Sequence, residues 1–156
     1  PAVFFFMLKS AFELRNCDWS SDVCSSAAFE GIGYKGSIHV AQNGIQAIDF
    51  LCDIKEGSQE SGKNKEWPSL ILLDLNLPKK NGLEVLEDIK AHPLWKSIPT
   101  VVFSSSSSAN DVSRSYQSHA NAYVAKPREL AQYELVAQQL HSFWLQSAEP
   151  SPVASV

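Results

Sequence analysis

Short apolar runs alternate with amphipathic segments along the chain from Ile38 onward. The apolar runs are, in order, "SIHV", "LILLDL", "IPTVVFS" and "AYVAKP". Leucine and isoleucine recur at helical spacing in the segments "NGIQAIDFLCDIK", "GLEVLEDIK" and "ELAQYELVAQQLHSFWL". A run such as "LILLDL", apolar on both sides of the alternation, is typical of a parallel strand covered by helices on both faces. The pattern predicts a doubly wound α/β sheet with right-handed crossovers.

Composition narrows the class of protein. The 156 residues are 44% hydrophobic and 19% charged, which suits one soluble domain. Because the net charge is -4 and no basic stripe is present, we expect no nucleic-acid partner. No apolar stretch approaches the roughly 20 residues that span a bilayer, so we expect no membrane contact. Cys17, Cys24 and Cys52 lack the spacing of a zinc site, which favours a reducing, cytoplasmic compartment.

Three polar side chains stand at the carboxyl ends of consecutive predicted strands: Asp74, Ser104 and Lys126. In a doubly wound sheet these ends share one edge, where the reactive groups lie. A carboxylate can attack phosphorus, a hydroxyl can hydrogen-bond a phosphoryl oxygen, and an ammonium can neutralise the charge on those oxygens. The constellation predicts a phosphoryl-transfer site with Asp74 as nucleophile.

Structural explanations stay open for each of these side chains. Asp74 could cap a turn, and Lys126 could be a solvated turn residue. Ser104 begins the run "SSSSS", which could be a flexible low-complexity loop, so another serine of this run is the alternative to Ser104 as the binding residue.

The segments "LILLDLNLPKKNGLEVL", "IPTVVFSSS" and "NAYVAKP", in this order and spacing, resemble the receiver domain of two-component response regulators. The resemblance runs from about Ile38 to Leu145. Within that family, the chain is similar to single-domain regulators that partner phytochrome-type sensor kinases, with which it shares a long polar loop before the aspartate strand and a final "FWL" helix. The resemblance implies a flavodoxin-like, five-stranded parallel sheet of order 2-1-3-4-5.

The resemblance also implies a role for each site residue. Asp74 would be the phosphoacceptor and a Mg²⁺ ligand, with the backbone carbonyl of Asn76 as a further ligand. Ser104 and Lys126 would bind the phosphoryl group, and the Lys126–Pro127 peptide bond would be cis. Tyr123 would be the aromatic residue whose rotamer reports the switch, although plain core packing is the alternative.

The implied function is that of a signalling domain and not of an enzyme, beyond catalysing its own phosphotransfer. It would accept a phosphoryl group from a sensor histidine kinase, of the phytochrome type if the narrower resemblance holds, and then change its protein contacts. Phe143 and Trp144 on the last helix could form a homodimer contact, the alternative being core packing.

The N-terminal region departs from the family. Receivers begin with a strand that ends in two adjacent acids, which anchor Mg²⁺. No such acidic pair is found here: the only strand candidate, "AVFFFML", is followed by Lys9 and Ser10. The later segment "CDWSSDVCSS" resembles the translation of a sequencing-adapter oligonucleotide.

We therefore expect residues 1–26 to be non-native, residues 27–146 to form the receiver domain, and residues 147–156 to be a disordered tail. The first strand would be replaced or missing. A diverged native N-terminus is the alternative.

Two other function classes stay open. The missing acids favour a metal-independent pseudo-receiver, a binding module that keeps the fold without the chemistry. A phosphohydrolase of the haloacid-dehalogenase type also starts from a strand-end aspartate, but it needs a second aspartate two residues later, where this chain has Asn76.

Overall fold

A computed structural model describes residues 2–6, 29, 31–55 and 67–149, with only the backbone described for residues 2–6, 55 and 130. Five strands form one parallel sheet in the order β2-β1-β3-β4-β5. They are β1 (Ala2–Phe6), β2 (Ile38–Ala41), β3 (Pro68–Leu73), β4 (Thr100–Ser104) and β5 (Ala122–Ala125). The doubly wound fold and its strand order are therefore confirmed.

Four α-helices whose bounds the structure describes connect or follow these strands: α1 (Gly44–Lys55), α2 (Gly82–Ala91), α3 (Ala109–Gln117) and α4 (Leu130–Leu140). The last of them continues as a π-helical segment, His141–Ser147. Asn81 caps α2 by accepting the Leu83 amide, while Glu84 accepts the Asn81 amide. This reciprocal capping box fixes the start of the helix that follows the Asp74 loop.

The sheet separates two hydrophobic cores, and β3 supplies both. Ile71 and Leu73 pack into one core, whose helical members come from α1 and α2 and include Leu51 and Leu86. Leu70 and Leu72 pack into the core on the other face, together with Tyr133, Ala137 and Leu140 of α4. Because successive strand residues point to opposite faces, a strand that is buried on both sides must be apolar throughout. This explains the uninterrupted run "LILL" before Asp74.

The central position of the sheet is filled by β1. Phe5 is in register with Val40 of β2 and with Leu72 of β3. Of the two expectations for the first strand, replaced or missing, the second is wrong, because Ala2–Phe6 fills the position. The non-native origin of residues 1–26 stays a prediction. Lys9 lies outside the described residues, as does most of the predicted tail.

Candidate functional site

Asp74 follows β3 directly and is almost fully buried. Its Oδ1 atom accepts a hydrogen bond from the Asn76 amide at 3.0 Å. Its Oδ2 atom lies 2.6 Å from the Lys126 ammonium nitrogen. Both carboxylate oxygens are thus engaged, one by a backbone donor two residues away and one by a cation from the far end of the sequence.

The two side chains of this ion pair are only 4% (Lys126) and 6% (Asp74) exposed. Lys126 reaches the site because the β4–β5 ladder continues past β5: its backbone amide donates to the Ser104 carbonyl at 2.8 Å. The ammonium also lies 5.9 Å from the centre of the Phe103 ring, within cation–π range. Removing one partner of a buried pair leaves the other charge uncompensated, which typically costs about 3–5 kcal/mol.

Ser104 is the last residue of β4 and is completely buried. Its Oγ atom accepts the backbone amide of Ser106 at 3.2 Å. The neighbouring serine, Ser105, is exposed. Ser104 is thus part of the sheet and not of a flexible loop, at the strand end next to the one that carries Lys126.

Tyr123 packs partly buried against the core that contains α1 and α2. Its hydroxyl donates to the Ser106 carbonyl at 2.7 Å, and its backbone amide donates to the Tyr116 hydroxyl at 3.3 Å. The ring thus combines core packing with a direct bond to the loop after Ser104. Its proposed role as a switch stays a prediction.

The expected cis bond between Lys126 and Pro127 is wrong for this structure, in which the bond is trans. A trans X–Pro bond is favoured by about 0.5–1 kcal/mol. The Lys126 ammonium contacts Asp74 while the following Lys126–Pro127 bond is trans, so the ion pair does not require the less favourable isomer.

Magnesium does not fit the donor set that the described residues supply. They contain no group of three or more His, Cys, Asp or Glu side chains that could hold a metal ion. Asp74 offers a carboxylate, but its oxygens are already bonded to Lys126 and Asn76. Mg²⁺ needs near-octahedral oxygen coordination, so no chemical step can be assigned to it in the described site. The positions after β1, where an acidic pair is expected, lie outside the described residues.

Gly82 positions Asp74, and sequence reasoning did not single it out. A Cβ atom on Gly82 would overlap the Asp74 carbonyl oxygen and lie 2.7 Å from the Leu75 Cα. The Gly82 amide also donates to the Leu75 carbonyl at 3.0 Å. The start of α2 is therefore in direct contact with the loop that carries the carboxylate. A glycine directly after the helix-capping Asn81 was the available signal.

Ser106 and Asp111 were also missed. The Ser106 hydroxyl donates to the Asp111 carboxylate at 2.6 Å, joining the loop after β4 to the first turn of α3. Their only signal in the sequence was a serine followed five residues later by an acid near a helix start.

The two aromatic residues proposed for a dimer contact differ in their surroundings. Phe143 is 56% exposed, whereas Trp144 packs against the core on the α4 face. Their rings contact each other edge to face, with centroids 4.9 Å apart. Only Phe143 therefore presents much of its ring at the surface. Within the described part of the chain, no helix is long and apolar enough to cross a membrane.

Comparisons with known proteins point to one family. Residues 28–138 match the family described as "Response regulator receiver domain". Response regulator Rcp1 of Synechocystis is 44% identical over 108 residues, covering 69% of this chain and 70% of Rcp1. The crystal structure of the Mn²⁺-bound form of Rcp1 superposes with a TM-score of 0.76 at 32% identity, covering 97% of this chain and 99% of that one. The phosphorylated cyanobacterial phytochrome response regulator RcpA gives a TM-score of 0.77 at 32% identity, with 96% of each chain covered.

Proposed function

The chain belongs to the response-regulator receiver family, and on this basis we propose that Asp74 is the residue that accepts a phosphoryl group from a sensor histidine kinase. The observation that supports this assignment best is the buried ion pair between Asp74 and Lys126 at the carboxyl edge of the sheet. We do not propose a phosphohydrolase of the haloacid-dehalogenase type, because the match to the receiver family includes the strand-end aspartate that suggested this alternative.

The proposed reaction is a displacement at phosphorus. An Asp74 carboxylate oxygen forms a bond to the phosphorus of a phosphohistidine, the N–P bond breaks, and its electron pair stays on the leaving imidazole nitrogen. Lys126 moves from the carboxylate oxygen to a phosphoryl oxygen, where its positive charge offsets the negative charge that the group brings. Ser104 donates its hydroxyl to another phosphoryl oxygen.

The buried setting suits this role. Because Asp74 and Lys126 are almost fully screened from water, their interaction with an entering phosphoryl group is stronger than it would be at an open surface. The backbone hydrogen bond from Lys126 to Ser104 fixes the two strand ends relative to each other. Both phosphoryl-binding side chains therefore start from a fixed relative position.

Mg²⁺ belongs to the proposal only for a chain with a complete acidic pocket. We propose that a native first strand ending in two acids holds the ion, together with Asp74 and the Asn76 carbonyl. The chain as written then binds Mg²⁺ far more weakly. Such a chain would act as the metal-independent binding module that is the alternative function, an alternative that the comparisons do not favour.

The proposed partner is a histidine kinase, and the likeness to RcpA, a cyanobacterial phytochrome response regulator, supports a kinase of the phytochrome type. A second copy of this chain is a further proposed partner, through Phe143, because that ring is largely exposed on the last helix. The domain itself supplies no further enzyme activity in this proposal, and its output is a changed protein contact in the cytoplasm.

Phosphorylation with a small phosphodonor tests the proposed function. The reagent, with Mg²⁺, should add one acid-stable, base-labile phosphoryl group to a chain in which a strand ending in two acids replaces residues 1–26, hereafter the restored chain. Asp74→Asn should abolish the gain, because an amide is a poor nucleophile toward phosphorus. Asp49→Asn, an exposed change on α1, is the control and should leave the gain intact. A restored Asp74→Asn chain that still gains the group would overturn the assignment.

A further inference from the structure

Ser106 is bonded through its amide, its carbonyl and its hydroxyl to three different parts of the molecule. Its amide donates to the Ser104 Oγ at 3.2 Å. Its carbonyl accepts the Tyr123 hydroxyl at 2.7 Å. Its own hydroxyl donates to the Asp111 carboxylate at 2.6 Å. Ser106 thus connects the end of β4, the Tyr123 side chain on β5 and the first turn of α3.

The bond to Asp111 is the strongest of the three by type. A hydroxyl that donates to a carboxylate makes a charge-assisted bond, which is shorter and roughly twice as strong as a bond between neutral groups. Asp111 is itself held on α3, where its carbonyl accepts the Ser115 hydroxyl at 2.7 Å. Ser106 also accepts the Ser108 amide on its Oγ at 3.3 Å, which folds the loop back toward the helix start.

We propose that Ser106 is a positioning residue that couples the Ser104 side chain to α3, with the Ser106–Asp111 bond as the link. The inference rests on the proposed function, in which Ser104 turns toward a phosphoryl group on Asp74. That turn withdraws the acceptor from the Ser106 amide, and the loop must find a new position. Because the Ser106 hydroxyl is hydrogen-bonded to Asp111, α3 moves together with the loop.

Ser106 can transmit a displacement along two routes, one to Tyr123 and one to α3, and each route depends on a different atom of Ser106. The route to Tyr123 runs through the Ser106 backbone carbonyl, which every side chain at this position retains. The route to the start of α3 runs through the Ser106 hydroxyl. Ser106→Ala should therefore cut the second route and leave the first one intact. A residue with a merely structural role would not separate the two.

The test is a mutant cycle read by NMR on the full chain without metal or phosphodonor. Ser104→Ala removes the acceptor of the Ser106 amide and imitates the withdrawal of the Ser104 hydroxyl. In the parent chain it should shift both the Tyr123 ring signals and the amide signals from Val112 to Ser115. In the Ser106→Ala background the same change should still shift the Tyr123 ring, but most of the α3 shift should be lost.

Matched variants control the cycle. Ser106→Thr keeps a hydroxyl and should restore the α3 response, whereas Asp111→Ala should reproduce the loss. Ser107→Ala, at an exposed serine in the same loop, should have no effect on the response.

Equal α3 shifts in the parent and the Ser106→Ala backgrounds would overturn the proposal. So would an α3 that does not respond to Ser104→Ala in the parent chain. Since no phosphoryl group takes part, this result is independent of whether Asp74 proves to be the phosphoacceptor.

Discussion

Lys126 and Asp74, 52 positions apart in the sequence, meet in an ion pair 2.6 Å long that is almost closed to water. Each residue follows a parallel strand, and two strand ends at one sheet edge bring them together without any contribution from a long loop. The pair is the resting state of the proposed site. A phosphoryl group would enter between a nucleophile and the cation that screens it.

Breaking this pair from the lysine side should destabilise the protein. Lys126→Met keeps most of the side-chain length but leaves the Asp74 carboxylate buried without its cation, at an expected cost of about 3–5 kcal/mol. Lys126→Met combined with Asp74→Asn should recover most of that loss, because the uncompensated charge is gone. Urea unfolding of the parent chain, the single variant and the double variant measures this. Equal stability of the single and double variants would show that burial of the charge is not the cause.

Gly82→Ala should disturb the phosphoacceptor loop. The added methyl group would overlap the Asp74 carbonyl oxygen, so the loop or the start of α2 has to move. Overpacking of this kind costs about 1–3 kcal/mol. Gly31→Ala is the matched control, since its Cβ would meet nothing closer than the Glu134 carboxylate at 3.7 Å. Thermal unfolding of both variants, with a clear loss for Gly82→Ala alone, is the expected outcome.

Lys90 should make the stability depend on pH in the alkaline range. Its ammonium donates to the Ile98 carbonyl at 2.9 Å and to the Asn121 side chain at 3.0 Å, and burial lowers its pKa from 10.5 to about 8. Between these two values the unfolded chain binds more protons at this position than the native chain does. The free energy of unfolding contributed by Lys90 therefore rises with pH across that window.

Urea unfolding from pH 7.5 to 10.5 checks this contribution. Lys90→Met should remove the part of the unfolding free energy that rises with pH, because methionine does not bind a proton. Lys96→Met, at an exposed lysine nearby, should keep it. The same pH dependence in Lys90→Met as in the parent would assign the effect to other groups.

Phe143→Ser should weaken self-association. Its ring is 56% exposed on the last helix, and burying it against a second copy would remove apolar surface from water. Val40→Ser, an equally exposed change on the edge strand β2, is the control. Sedimentation velocity should show the dimer fraction falling only for Phe143→Ser. A dimer that survives both changes, or a parent chain that stays monomeric, would remove Phe143 from the proposal.

Much of this architecture could be read from the sequence because its signals are local. The uninterrupted run before Asp74 marked a strand buried on both faces, and the rule that parallel strands end at one edge placed Asp74 and Lys126 together. Ser104 was identified as a strand end despite the serine run that follows it. These predictions needed only residue type and spacing.

What could not be read depends on tertiary contacts. In the sequence, Gly82 resembles any glycine at a helix start. Its close contact with the Asp74 carbonyl is visible only in the structure. The Ser106–Asp111 bond depends on the shape of the loop after β4. Five consecutive serines start at the end of β4, so the sequence does not show which of them faces Asp111. The segment "AVFFFML" was a strand candidate in the sequence, but its central place follows from pairing with both β2 and β3, which no local pattern specifies.

The position of the phosphoryl group tests the central claim most directly. The restored chain would be phosphorylated with a small phosphodonor and Mg²⁺ and then reduced with borohydride, which releases phosphate and leaves homoserine as the label at the acceptor position. Digestion and mass spectrometry locate that label, and the chain as written is treated in parallel. We expect the label at Asp74 in the restored chain and none in the chain as written, since the latter lacks the acids that hold Mg²⁺. A label at another acid, such as Asp111 or Asp88, with Asp74 unmodified would contradict the account.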